Sequence, residues 1–349
     1  MVGGLQVVIH STSSISVFKS CGYAPRALSY ALPVHDAGRT DPQQAAACVG
    51  RRAASTSALL SAIGSGGVSA TSSGVGPQPK HVALVTGASS GLGKEMAYQL
   101  AEKGHSLLLA ARSEAVLDRM QTEIEQVHER VKVSFCACDL SSAEGINALV
   151  AFTTEHGLVV DILVNCAGFS ITKDFVKLSQ KQVTQIVALD MAAVAQLTHA
   201  FVPQMVERGV GRVLNMGSMA GSIVSPSAAL YSSAKAFVIN FSQGIDYELR
   251  GTGVTVTCFC PGPVHTNFGS TADCDDAIYM NIPGTACTPK ECAALALQAM
   301  FRGKALAYDT WFASISAFLG ACVSPRRLLT AICAVCMNAP SKVGEMLRC

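Results

Sequence analysis

His81-Val-Ala-Leu-Val-Thr-Gly-Ala-Ser-Ser-Gly-Leu-Gly93 is the stretch on which the reading of this chain turns. Its first half is a short apolar run that stops at a glycine, the signature of a buried strand. From residue 91 the apolar positions follow a helical period to 103, and Gly104 closes that helix. Glycines 87, 91 and 93 occupy the turn between strand and helix. Without side chains there, the backbone can turn tightly and approach a bound phosphate. The helix start then offers unpaired N–H groups and the positive end of its dipole. The spacing is G-x-x-x-G-x-G rather than G-x-G-x-x-G, so the turn gains its meaning from the segments around it.

Those segments alternate. Residues 106–111 read as a second strand, 114–131 as a charged helix, 131–138 as a third strand and 143–155 as a helix. Residues 160–165 form a fourth strand, 180–207 one long apolar helix and 212–216 a fifth strand. An apolar helix begins at Tyr231, continues to Arg250 and stops at Gly251, before a sixth strand at 254–260. Thr288-Pro-Lys-Glu291 is a capping box with proline at the first helical position, and its helix runs to Met300. Residues 304–308 allow a seventh strand. This order predicts an α/β fold: a Rossmann-like doubly wound parallel sheet with helices on both faces. The strands are apolar throughout, as a sheet covered on both sides requires. Ligands of such sheets bind outside the carboxyl ends of the strands, where the polar residues discussed next all fall.

Residues 1–78 differ from this folded part, expected over 79–303. They are rich in Ser, Ala and Gly and hold five Lys or Arg residues, at 19, 26, 39, 51 and 52, against Asp36 and Asp41. They read as a disordered low-complexity extension, which fits either an organelle transit peptide, for instance mitochondrial, or a plain tail. A secretory signal fits poorly, because the apolar run at 5–9 is short and lacks a basic flank. Residues 304–349 form an apolar tail in two runs broken by Pro325-Arg-Arg327. Neither run reaches the ~18–20 residues of a spanning helix, which leaves core-capping helices or a peripheral membrane contact.

Composition narrows the function. Half of the residues are apolar, 14% are charged and the net charge is +2, so nothing points to nucleic acid. Fourteen cysteines form no disulfide framework, and the eight histidines form no ligand set, so no metal site is expected. Cys136 with Cys138 and Cys258 with Cys260 lie two apart on strands and read as core residues in a reducing, intracellular setting. Cys333-x-x-Cys336 has metal or redox spacing but no second pair.

Tyr231 and Lys235 are four apart and share one helix face. An ammonium beside a phenol favours the phenolate and suits it to acid–base chemistry at neutral pH. At the end of the second strand stands Arg112, where a site for the unphosphorylated dinucleotide would place a carboxylate. A guanidinium there accommodates a ribose 2′-phosphate, so the expected cofactor is NADP(H).

Thr86-Gly-x-x-x-Gly-x-Gly93, Asn165-Cys-Ala-Gly168, Ser218, Tyr231-x-x-x-Lys235 and Pro261-Gly262 together resemble the short-chain dehydrogenase/reductase family. The resemblance covers about residues 80–268. It implies a catalytic domain in which Tyr231 protonates a substrate carbonyl, Lys235 assists it and holds the nicotinamide ribose, and Ser218 binds the carbonyl oxygen. Implied cofactor contacts come from Thr86, Gly87, Ser89, Ser90, Gly91, Leu92 and Gly93, from Arg112 and Asp139, and from Asn165, Ala167 and Gly168. Pro261, Gly262, Val264 and Thr266 complete them. The family's fourth catalytic residue is an asparagine that holds a proton-relaying water; here Asp190 stands in its place, an acceptor that donates nothing while ionised. The substrate would be an apolar ketone or acyl carbonyl, such as a 3-ketoacyl-CoA or a steroid, reduced or formed by hydride transfer. The loop 268–286, with Phe268, Ile278, Tyr279, Met280 and Ile282, hints at the same. A catalytically weak nucleotide-binding scaffold of the same fold is the alternative. The apolar helices at 180 and 231 resemble the family's pairing surface, which implies a homodimer or homotetramer. Apolar tails also occur in endoplasmic-reticulum members of the family, a second expectation for location.

Overall fold

The computed structural model describes residues 5–11, 14–19, 80–264 and 286–322. The chain divides into two units, 1–74 and 75–349. In the first unit Leu5–Ser11 (β1) and Ser14–Lys19 (β2) pair as an antiparallel hairpin. The extension expected to lack ordered elements therefore contains one. The physical signal is the apolar alternation in Ser14-Ile-Ser-Val-Phe-Lys19, a strand period overlooked beside the Ser- and Gly-rich background.

The second unit is built on seven parallel strands. They are Lys80–Thr86 (β3), Leu107–Ala111 (β4), Val133–Ala137 (β5), Leu158–Asn165 (β6), Gly211–Met216 (β7), Val254–Cys260 (β8) and Leu306–Tyr308 (β9). Their order across the sheet is β5-β4-β3-β6-β7-β8-β9, with every neighbouring pair parallel. The seventh strand is present. The order runs outward in opposite directions from β3 and β6, and a crevice opens at that switch above the strand ends.

Helices cover both faces. Gly91–Glu102 (α1), Glu114–Val127 (α2) and Pro289–Phe301 (α7) pack on one side, with Met96, Leu100, Leu117, Met120, Leu297 and Met300 sealed against Leu107 and Leu109. Ala143–Glu155 (α3) and Ala193–Arg208 (α5) cover the other, where Leu149, Leu197, Phe201 and Met205 meet Leu84, Leu108 and Leu163. On that side Ala229–Glu248 (α6) packs Val238 and Ile239 against Cys258 and Cys260. Each such side chain is worth about 1.5–3 kcal/mol of hydrophobic stabilisation. The two cysteines are free and fully buried, with sulfurs 3.8 Å apart, as core residues.

The segment expected as one helix over 180–207 is an uninterrupted helix from Gln180 to Arg208 with a π turn inside it. Gln180–Val187 (α4) carries a complete Ser179–Gln182 capping box, a π turn spans Ala188–Ala192, and α5 follows. A π turn inserts a residue into the helical ladder and re-aims the side chains it carries; here that side chain is Asp190. The segment is long and apolar enough to cross a membrane, yet α5 seats its apolar stripe in the core. The last described helix, Trp311–Cys322 (α8), leaves Trp311, Ile315 and Phe318 exposed. The expected loop at 268–286, Thr266, and the Cys333–Cys336 pair lie outside the described residues, apart from the loop's last position.

Candidate active site

A cleft of about 590 Å³ opens along the carboxyl ends of the strands. Its first wall is the turn after β3. Gly87 has φ +67° and Gly91 φ +52°, conformations that side chains disfavour. A Cβ on Gly93 would stand 2.4 Å from the carbonyl oxygen of Gly87, and one on Gly87 would stand 2.9 Å from the Cα of Ala167. Only glycine lets the helix start this close to the strand end. Among the described residues no side chain caps α1, so its first N–H groups are open to a phosphate. Ser89, Ser90, Leu92, Ala167 and Gly168 line the same wall.

Arg112 and Asp139, which follow β4 and β5, line the cleft farther out, both exposed. Asp139 Oδ1 accepts from the backbone N–H of Ser141 at 2.9 Å and from its hydroxyl at 2.8 Å. These bonds, with a smaller pull from Arg112, hold its carboxyl below the usual range. The residues present fit a dinucleotide: a glycine cradle, an open helix start and a guanidinium that lines the same cleft.

Past the switch point the cleft is lined by Ser218, Tyr231, Lys235, Pro261, Gly262 and Val264. Ser218 caps a short 3₁₀ turn, Met219–Ser222, and its Oγ accepts from the Ala220 N–H at 3.1 Å. Gly221 lets that turn lie against α6, since a Cβ there would be 2.6 Å from the Lys235 carbonyl carbon. Tyr231 and Lys235 project from the first turns of α6, with Nζ 5.6 Å from the phenol ring centre. Lys235 is buried. Its Nζ donates to Met216 O at 3.2 Å and pairs with Asp190 Oδ1 at 2.9 Å, a contact that is not aligned as a hydrogen bond. Burial alone would push this lysine down; the Asp190 carboxylate outweighs it and raises the pKa. Burial pushes Asp190 itself up, opposed by the charge of Lys235.

Three of the expected site residues stand behind the cleft wall. Asp190 is completely buried, and its Oδ2 accepts from the Phe169 N–H at 3.2 Å. A Cβ on Gly168 would stand 2.6 Å from Asp190 Oδ1 and 3.3 Å from Lys235 Nζ, so glycine is what admits the ion pair. Thr86 Oγ1 donates to Val164 O at 3.2 Å and accepts from the N–H groups of Cys166 and Ala167, tying β3 to the end of β6. Asn165 Nδ2 donates to Asn215 Oδ1 at 2.8 Å and to Thr198 Oγ1 at 3.3 Å, and Asn215 Nδ2 donates to Ser242 Oγ at 2.9 Å. This buried chain joins β6, β7, α5 and α6. Asn215 and Ser242 escaped sequence reading, although an asparagine inside the apolar run 212–216 was a visible oddity.

The cleft is also lined by Phe169, Thr172, Gln185, Leu189, Met219 and Ile223. The Lys173 N–H donates to Ser227 O at 2.6 Å and joins the loops that carry the two residues. Ser227 has φ +62°, the only non-glycine residue with positive φ among those described.

Residues 81–276 match the family described as short chain dehydrogenase. The chain is 38% identical over 177 residues to a very-long-chain 3-oxoacyl-CoA reductase of Laccaria bicolor, covering 50% of this chain and 52% of that protein. It thus spans about half the length of that relative. It is 35% identical over 192 residues to a putative ketoacyl reductase of Streptomyces coelicolor, covering 54% of this chain and 72% of that one. Among solved structures, a short-chain dehydrogenase from Sphingobium yanoikuyae in complex with NADPH matches with a TM-score of 0.62 and 28% identity, over 70% of this chain and 93% of that one.

Proposed function

Because the chain belongs to the short-chain dehydrogenase/reductase family, we propose that it is an NADPH-dependent reductase of apolar 3-oxoacyl thioesters. The observation that carries this reading is one continuous cleft. It joins the glycine cradle and Arg112 to Ser218, Tyr231 and Lys235, and ends in a wall without charge. Arg112, Asp139 and Lys235 are the only charged side chains among the described lining residues. An uncharged carbonyl on an apolar chain fits the remaining wall.

The bound cofactor supplies the hydride. The protein's part is to hold the carbonyl and supply a proton. Ser218 Oγ already accepts a backbone N–H, so its own proton is free to be donated to the carbonyl oxygen. Tyr231 gives its phenolic proton to that oxygen as it becomes a hydroxyl. The Lys235 ammonium, fixed by Met216 O and Asp190, stabilises the phenolate left behind.

The test is consumption of NADPH by the purified chain with 3-oxoacyl-CoA esters of increasing length, steroid ketones and small aldehydes. The expected result is a kcat/KM that rises with acyl length. Preference for small charged aldehydes would refute the substrate class. NADPH binding without consumption would favour a second reading, a weakly catalytic scaffold, for which the direct Asp190–Lys235 pair is the supporting observation.

A further inference from the structure

The turn between β9 and α8 takes hold of the cleft wall. After β8 the chain runs Pro261-Gly262-Pro263, a tripeptide with a single backbone N–H because neither proline has one. That N–H, on Gly262, donates to Asp309 Oδ1 at 2.8 Å. The flanking carbonyls are held as well: Met219 N–H donates to Pro261 O at 2.9 Å and Cys287 N–H to Pro263 O at 3.0 Å. The strap formed by residues 261–264 lines the cleft beside Ser218, because β8 neighbours β7. Arg112 and Asp139 lie at the other end of the crevice, after β4 and β5.

Asp309 is placed for this contact at a cost. Its Oδ2 is sealed from solvent without an aligned partner, a condition that destabilises a carboxylate. Burial pushes its carboxyl up, against the Gly262 N–H and Thr310, which draw it down. The strap sits close on the start of α8: a Cβ on Gly262 would be 3.4 Å from both Asp309 Oδ1 and Thr310 Oγ1. The chain around this turn also packs against the 3₁₀ turn that follows Ser218. Tyr308 OH lies 3.2 Å from Ser222 Oγ, and a Cβ on Gly320 would be 2.1 Å from Ser222 O.

We propose that Asp309 is a positioning residue for cofactor binding: by holding the Gly262 N–H of the strap, it sets the wall against which the nicotinamide half of the dinucleotide rests. This rests on reading the cleft as a dinucleotide site. It predicts an effect confined to one half of the ligand. The experiment measures dissociation constants of the full chain for NADPH and for 2′-phospho-ADP-ribose, which lacks the nicotinamide. Asp309→Ala should weaken NADPH about tenfold, the effect of losing one charge-assisted hydrogen bond, and leave the fragment unchanged. Asp309→Asn keeps an oxygen acceptor and should restore most of the NADPH affinity. Unchanged fragment binding also shows that the variant is folded. Equal weakening of both ligands, or no weakening of NADPH, would overturn the proposal. Should the parent protein bind neither ligand, the dinucleotide reading falls and the proposal with it.

Discussion

The two ends of the cleft are made by different means. At the end beside the glycine turn the work is done by backbone and by exposed side chains: Gly87 and Gly91 at positive φ, an uncapped helix start, and Arg112 and Asp139 at the surface. At the catalytic end it is done by side chains that are mostly buried and drawn from several elements. Lys235 of α6 meets Asp190 of the π turn and a carbonyl of β7, with the Asn165–Asn215–Ser242 chain behind them. The first end is local in sequence and adaptable; the second is a long-range network in which each member fixes the next. Variants at the two ends should therefore fail in different ways.

The largest expected effect is at the catalytic end. Tyr231→Phe removes a hydroxyl and leaves the ring, so NADPH affinity and melting temperature should hold. General acid catalysis contributes ~10²–10⁴-fold, and kcat should fall by about that factor. A Tyr231→Phe protein that turns over at the parent rate would end the mechanism. One that lost NADPH binding as well would erase the proposed separation between the ends.

Arg112→Ala tests the other end. On the proposed reading the guanidinium binds the 2′-phosphate, so the variant should bind NADPH less tightly by ~1–3 kcal/mol, roughly 5- to 150-fold. NADH binding and kcat at saturating cofactor should stay near parent values. Fluorescence titration with both cofactors gives the answer; an equal loss for NADH would show that Arg112 serves the loop rather than the phosphate.

The same contrast explains what could be read from sequence. The seven strands, their parallel order and the glycine turn follow from periodicity and from residues a few positions apart, and the fold expected from them is the one observed. Of the site, the glycine turn, Arg112 and the Tyr231–Lys235 pair were legible in local pattern, and Ser218, Asp139 and the 261–264 stretch only through the family resemblance. The roles of the residues behind the wall were not. Thr86 and Asn165 face neighbouring strands and Asp190 faces Lys235, 45 positions along the chain. No local pattern shows that a π turn would sit inside the 180–207 helix with Asp190 buried on it. Asp309 carries no signal at all until β9 brings it beside Gly262.

Asp190→Asn should have the smallest effect, and it asks whether the buried network is electrostatic or merely steric. The amide keeps an oxygen for Lys235 but removes the charge. Breaking a buried pair by deleting one partner outright costs about 3–5 kcal/mol. Asparagine should cost less, about 1–2 kcal/mol, because it still accepts a hydrogen bond and sheds the penalty that burial places on the Asp190 carboxylate. The pH dependence identifies the cause. Lys235 has its pKa raised above the ordinary lysine value of 10.5, with the Asp190 carboxylate overcoming burial. The stability from that pairing is complete below 10.5 and fades as pH rises through the higher folded value. The gap in melting temperature between parent and variant should thus be full at neutral pH and narrow toward strongly alkaline pH. In the variant the Lys235 charge also acts on Tyr231 without a competing carboxylate. The fall of kcat/KM at high pH, where the Tyr231 proton is lost, should then move to lower pH, while kcat itself changes by less than about tenfold. If the melting gap stays constant with pH and the two rate profiles superimpose, Asp190 fills space and orders a helix, and its charge has no part in the chemistry.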